Sequence, residues 1–190
     1  MRVRLLAYTS IVESVLLYNC STWALSEPCA KRLDVAQRSM LRRVLGISMI
    51  DKISNTELYA QCHVLPASLQ VMHARWRMFG HTLRMPADTP ARKAMLYYFT
   101  KEVDIAGRQG NYNTIATALS KEYESVSSTK INDLNQFNKI VVLAQNRDAW
   151  RELVNDIFIF YKTKYEREQQ KRRIAQQQAE EIKTVLVGSV

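Results

Sequence analysis

Between Gly110 and Gly188 the chain contains neither glycine nor proline. Those two residues supply the left-handed and φ-locked positions that make tight turns and end regular elements. A stretch this long without them cannot be cut into many short strands, and it favours long helices joined by polar turns. The rest of the chain is nearly as poor in them, with five Gly and four Pro in 190 residues. The expected fold is therefore all-α: a compact helical domain followed by a long charged C-terminal helix. The expected division is a helical domain over 1–105, a smaller helical region over 106–160 and an extended charged helix over 161–190. The glycines of "DIAGRQGNYN" mark the boundary between the first two.

Apolar spacing places the individual helices. Leu5, Tyr8, Val12, Val15 and Leu16 predict one helix from about residue 3 to 20. Ser26 or Glu27 with Pro28 marks the start of a second, and Gly46 its end. In that helix Leu33, Met40, Leu41 and Val44 form the apolar stripe, which sets Lys31, Arg38 and Arg42 together on the opposite side. Ser54 and Glu57 have the spacing of a capping box opening a short helix. Pro66 and Pro86 bracket the next, whose stripe is Leu69, Met72, Trp76, Phe79 and Leu83, with His73 and Gly80 on it. Arg77, His81 and Arg84 share a flank of that helix at spacings of four and three. "PADTPARKAMLYYF" reads as a loop entering a short helix. Periodicity fades after Tyr161 into Lys, Arg, Glu and Gln, the pattern of a helix that projects into solvent or bridges to a partner.

Charge narrows the function. The net charge is +9, which attracts polyanions, nucleic acid foremost. The excess is uneven: residues 1–100 carry 13 Lys and Arg against 6 Asp and Glu, residues 101–190 carry 14 against 12. Basic ridges on helices contact phosphates without reading sequence. The candidate nucleic-acid-binding residues are Lys31, Arg38, Arg42 and Arg43, then Arg75, Arg77, His81 and Arg84, and finally Arg172 and Arg173.

Catalytic and metal signals are weak. Cys62, His63, His73 and His81 lack the paired spacing of a zinc site, and His73 reads more simply as a core histidine beside Trp76. The three cysteines, Cys20, Cys29 and Cys62, read as small buried or half-buried residues of a reducing compartment. The chain has no G-x-S-x-G elbow, no phosphate-cradling glycine loop and no Asp-Asp pair that could hold two metals. Neither a cofactor nor a catalytic residue is expected. No apolar run approaches the roughly 18 residues of a membrane span, so no membrane partner is expected either.

Several segments together resemble a known family. "SVLLYNCSTWAL", "KRLDVAQRSMLRRVLGI", "DKISNTELY" and "RWRMFGHTLRMP", in this order, resemble the region that follows the polymerase domain in non-LTR (LINE-like) retrotransposon endonuclease–reverse transcriptases. "GRQG" and "QNRDAWREL" are similar to two later motifs, and the likeness covers roughly residues 5–155. Asn19, Ser48–Met49 and Gln109 depart from the family's usual Gly, Trp and Pro. The resemblance implies the helical thumb and connector, which holds RNA or template–primer, without the palm and its catalytic Asp pair. The leading expectation is a non-catalytic RNA-binding module that serves as a structural subunit of a ribonucleoprotein, among other protein subunits. The alternatives are a thumb/connector fragment of an active reverse transcriptase and a helical protein-interaction adaptor. The expected compartment is intracellular: the nucleus on the retroelement likeness, with the mitochondrion as the alternative suggested by "MRVRLLAYTSIV".

Overall fold

The structure, a computed structural model, describes residues 2–100 and 114–187. All regular elements among them are helical. The order is α1 (Arg2–Ala7), a π-helical turn (Tyr8–Glu13), α2 (Ser14–Leu16), a 3-10 turn (Cys20–Thr22), α3 (Glu27–Leu45), a second 3-10 turn (Met49–Asp51), α4 (Asn55–Cys62), α5 (Ala67–Leu83), α6 (Pro90–Thr100), α7 (Ile115–Ser127), α8 (Leu134–Gln145) and α9 (Arg147–Val187). The segment expected to be a boundary, 104–113, lies outside the described residues.

The end signals act as read. Ser26 accepts from the Cys29 amide, Pro28 occupies the first turn of α3, and Gly46 closes the helix at φ 71°. Ser54 and Glu57 form the reciprocal cap of α4. The first helix differs from expectation. The π turn over Tyr8–Glu13 adds a residue to one helical turn, which rephases the faces on either side of it. Of the expected stripe Tyr8 is buried and Leu5 and Leu16 are half-buried, but Val12 and Val15 are exposed, and Thr9, Glu13 and Leu17 are half-buried in their place.

α5 is the central helix. Leu69, Met72, Trp76, Phe79 and Leu83 all enter the larger core, together with Phe99 of α6, Leu119 of α7, Phe137 and Ile140 of α8, and Trp150, Val154 and Ile157 of α9. This core lies on both sides of residue 105. Gly80 is buried directly under the Trp150 indole, so the missing side chain lets α9 approach. A smaller core joins Tyr8, Leu41, Leu58, Tyr59 and Cys62, with Tyr165 of α9 against it. α9 therefore seals both cores. Among the described residues, the hydrogen bond to the body furthest along it is from Asn55 Nδ2 to Gln169 Oε1, 2.9 Å. Residues 170–175 and 177–179 beyond it are exposed.

The inward face of α3 was not legible as a core face. Its fully buried residues are Asp34, Gln37 and Leu41, while Leu33, Met40 and Val44 of the expected stripe are half-buried. The reason lies in α5, which follows Pro66 and has no side-chain cap of its own. Its first free amides are satisfied from α3 instead. Asp34 Oδ1 accepts from the Ser68 amide at 2.9 Å and Oδ2 from Ser68 Oγ at 2.8 Å. Gln37 Oε1 accepts from the Ala67 amide at 2.7 Å and from Tyr59 Oη at 3.1 Å. Asp34→Ala is expected to destabilise the protein by about 1–2 kcal/mol, the cost of a lost cap whose amide is half-buried. Asp34→Asn, which keeps the acceptor at Oδ1, should cost less than half of that; burial already pushes the Asp34 carboxyl upward. Urea unfolding of the two variants checks the order, and equal losses would refute the capping role.

Candidate nucleic-acid interface

The folded chain separates the expected basic residues into three groups. Arg75 is a correction. It is 4% exposed and cannot reach a polyanion. Its Nη1 donates to the Trp23 carbonyl at 2.7 Å, and its Nη2 pairs with Glu122 of α7. Trp76 Nε1 donates to the other Glu122 oxygen at 2.8 Å. Burial pushes the Glu122 carboxyl upward while Arg75 pulls it down. The charge of Arg75 thus joins α5 to α7 and to the α2–α3 connection.

A second group is half-buried and engaged. Arg38 Nη1 donates to Tyr165 Oη at 3.3 Å. Arg42 Nη2 donates to the Ile53 carbonyl at 3.3 Å and to Asn55 Oδ1 at 3.0 Å. Both lie along the seam where α9 crosses α3 and α4. Arg84 Nη1 donates to the Ala144 carbonyl at 3.2 Å, at the C-terminus of α8, where a cation also meets the negative end of the helix dipole.

The third group is exposed. Lys31 forms a surface pair with Glu27 at 2.6 Å. Arg43, Arg77, His81, Arg172 and Arg173 are exposed, and their side chains make no hydrogen bond or ion pair among the described residues. Sequence reasoning missed Lys121 and Lys164. Both act, with Lys31, on the exposed Glu27 carboxylate and hold it below its ordinary range, Lys31 contributing most. Lysines on three helices, α3, α7 and α9, thus stand near enough to Glu27 for their charges to act on it. Down α9, Lys164, Arg167 and Lys171 continue the cationic face at helical spacings of three and four, all exposed. The signal was present in "KTKYEREQQKRR", but a polar helix reads the same on every side until a packing partner gives it a face.

A groove of about 970 Å³ opens elsewhere, between the π turn, the α4–α5 loop, α5 and α9. Arg77 lies on its wall. So does His73, which is a second correction: it is exposed, not a core histidine beside Trp76. Its ring stands edge-on to Phe158 of α9, with centroids 5.9 Å apart. Partial desolvation there, and secondarily the charge of Arg77, holds its imidazole below the ordinary 6.5. His63, also on the wall, ends α4 in the left-handed region at φ 51°. Glu13 lies at the groove with its Oε1 accepting from Gln37 Nε2 and Gln70 Nε2, both at 2.9 Å.

Among the described residues no three His, Cys, Asp or Glu side chains converge on a metal-sized site. Cys20 and Cys62 are buried, which pushes both thiols upward, while Cys29 is exposed. No helix among the described residues is long and apolar enough to cross a membrane. No family model, curated protein or solved structure matches this chain.

Proposed function

We propose that the chain is a non-catalytic RNA-binding helical module, derived from a retrotransposon reverse transcriptase and built into a ribonucleoprotein as a structural subunit. The observation that carries this reading is the run of exposed cations along α9, Lys164, Arg167 and Lys171, with Lys31 of α3 and Lys121 of α7 acting on the same carboxylate, Glu27, as Lys164 does. Between Lys162 and Arg173 the chain has six Lys and Arg against two Glu, and such a density of exposed cations favours a phosphate backbone as partner. The sequence likeness to the thumb and connector of LINE-like polymerases supplies the choice of RNA. In this reading α9 carries the cations away from the body, as a docking arm.

One observation favours the alternative of a thumb/connector piece working inside a larger polymerase. Val3, Leu6, Ile11, Val15 and Tyr18 are all more than 60% exposed. An apolar face of that kind on the first helices suits a neighbouring protein surface.

Binding is tested by measuring affinity for RNA against salt. The wild-type constant should fall linearly on a log–log plot. The variant Lys164→Ala/Arg167→Ala/Lys171→Ala should lower the slope by about 0.7 to 0.9 for each phosphate contact removed. Salt-insensitive retention, or none at low salt, would refute the reading and leave a protein-interaction adaptor. A slope unchanged by the triple variant would show that this ridge is not the contact.

A further inference from the structure

The groove between the π turn, α5 and α9 differs in kind from the lysine ridge. A ridge of flexible, exposed cations meets any phosphate backbone. The groove combines apolar walls, from Leu17, Val64 and Val154, with aromatic surface from His73 and Phe158. Glu13 and Gln70 are hydrogen-bonded to one another there, but other polar side chains of the lining are without internal partners. The side chains of Arg77, His63 and Asn155 make no hydrogen bond or ion pair among the described residues. Arg151, across the groove on α9, is tied only to Asp148, in a surface pair whose side chains are 77% and 84% exposed. Such a pair is worth little and exchanges readily for another anion. At about 970 Å³ the groove is at the upper end of the size of ligand sites.

Two backbone features border the groove. The π turn presents Thr9 and Glu13 to it, and His63 adopts the left-handed conformation at its far wall. Wide helical turns and left-handed non-glycine residues are costly locally and recur where a chain shapes a site.

The chemistry that suits this surface is a base with its face free. Paired bases are stacked inside a duplex and cannot present a face, whereas an unpaired strand can lay a base on an aromatic ring and its phosphate on an arginine. We infer that the groove holds a single strand of nucleic acid, with one unstacked base against His73 and Phe158 and the adjoining phosphate on Arg77. The Asn155 amide and Glu13 Oε2, whose sister oxygen is held by Gln37 and Gln70, would meet the base edge. This rests on the RNA-binding reading and adds a division of labour to it: the α3–α7–α9 ridge takes any strand, and the groove takes only an unpaired one.

The test uses the full chain, a short oligouridine carrying one 2-aminopurine, and a duplex RNA of the same length. Wild-type protein should bind both, with the 2-aminopurine fluorescence quenched on stacking. His73→Ala/Arg77→Ala should weaken the single strand about tenfold or more, the scale of a lost base–aromatic stack plus a phosphate contact. The duplex should lose less than about twofold, because its bases never enter the groove. His73→Phe should restore the quenching, because it returns an aromatic face without the imidazole. Both His73 and Arg77 are exposed, so the variants should keep the wild-type helical circular dichroism. Equal losses for single strand and duplex, an unchanged single-strand affinity, or displacement of quenching by an acidic peptide but not by unlabelled oligouridine would overturn the proposal. If the wild-type protein binds neither RNA, the broader reading falls as well. Duplex binding with normal salt dependence and no single-strand preference removes the groove proposal alone.

Discussion

Replacing Glu122 by alanine should lower the unfolding free energy by about 3–5 kcal/mol, the cost of leaving one member of a buried ion pair without its partner. The stranded group is Arg75. Its guanidinium is sealed from water, its Nε already lacks a hydrogen-bond partner, and Trp23 supplies a single carbonyl. Trp76 Nε1 loses its acceptor in the same step, which adds a second unsatisfied donor to the core. The companion variant separates charge from packing. Arg75→Met combined with Glu122→Leu removes both charges and returns apolar volume, and it should recover most of the loss. Urea unfolding of Arg75→Met, Glu122→Leu and the double closes the cycle. A loss below about 1 kcal/mol for Glu122→Ala would mean that water reaches Arg75 and that the pair contributes no more than a surface one.

Gly80→Ala should be nearly as damaging, against the usual direction of that substitution in a helix. Alanine gains about 1 kcal/mol of helix propensity over glycine. Here its Cβ would land on Trp150 Nε1 and stand 2.5 Å from Cε2. The indole cannot turn away, because it is held between Trp76 at 5.7 Å and Phe79 at 5.9 Å, centroid to centroid. Overpacking of a core costs about 1–3 kcal/mol when neighbours yield, and more when they do not. A net loss of about 3 kcal/mol would lower Tm by roughly 6–12 °C for a chain of this size. Adding Trp150→Leu should return part of that loss, since it removes the colliding ring. A Tm at or above wild type for Gly80→Ala would show that α9 sits further from α5 than the contact requires.

The helices and their ends were largely legible because caps and periodicity are local. Ser26, Gly46, Ser54 with Glu57, and Pro66 each act within a few residues of their place in the chain. The stripe from Leu69 to Leu83 was legible for the same reason. What misled was polarity on an inward face. Asp34, Gln37 and Arg75 look like solvent residues, and each is buried because its partner lies 30 or more residues away, at Ser68, Ala67 and Glu122. No spacing rule reaches that far. The π turn was hidden for a different reason: "YTSIVE" has no glycine or proline to announce a wider turn, and the rephasing is visible only once Val12 and Val15 are seen in solvent. His73 was drawn into the stripe by its angle, although it is exposed there, with its ring edge-on to Phe158 of α9. The lysines that act on Glu27 come from three separate helices, so only their assembly brings their charges to one carboxylate.

The sealing of both cores by α9 has a consequence for how the chain comes into being. Synthesis proceeds from the N-terminus at about 5–20 residues per second. A nascent chain that has grown only as far as Asn146 lacks Trp150, Val154 and Ile157 for one core and Tyr165 for the other. During that interval the faces of Trp76, Phe79 and Tyr59 that α9 later covers remain uncovered. Neither half can therefore finish on the ribosome ahead of the other. Native packing of both cores waits for α9, and until then these apolar faces stay uncovered.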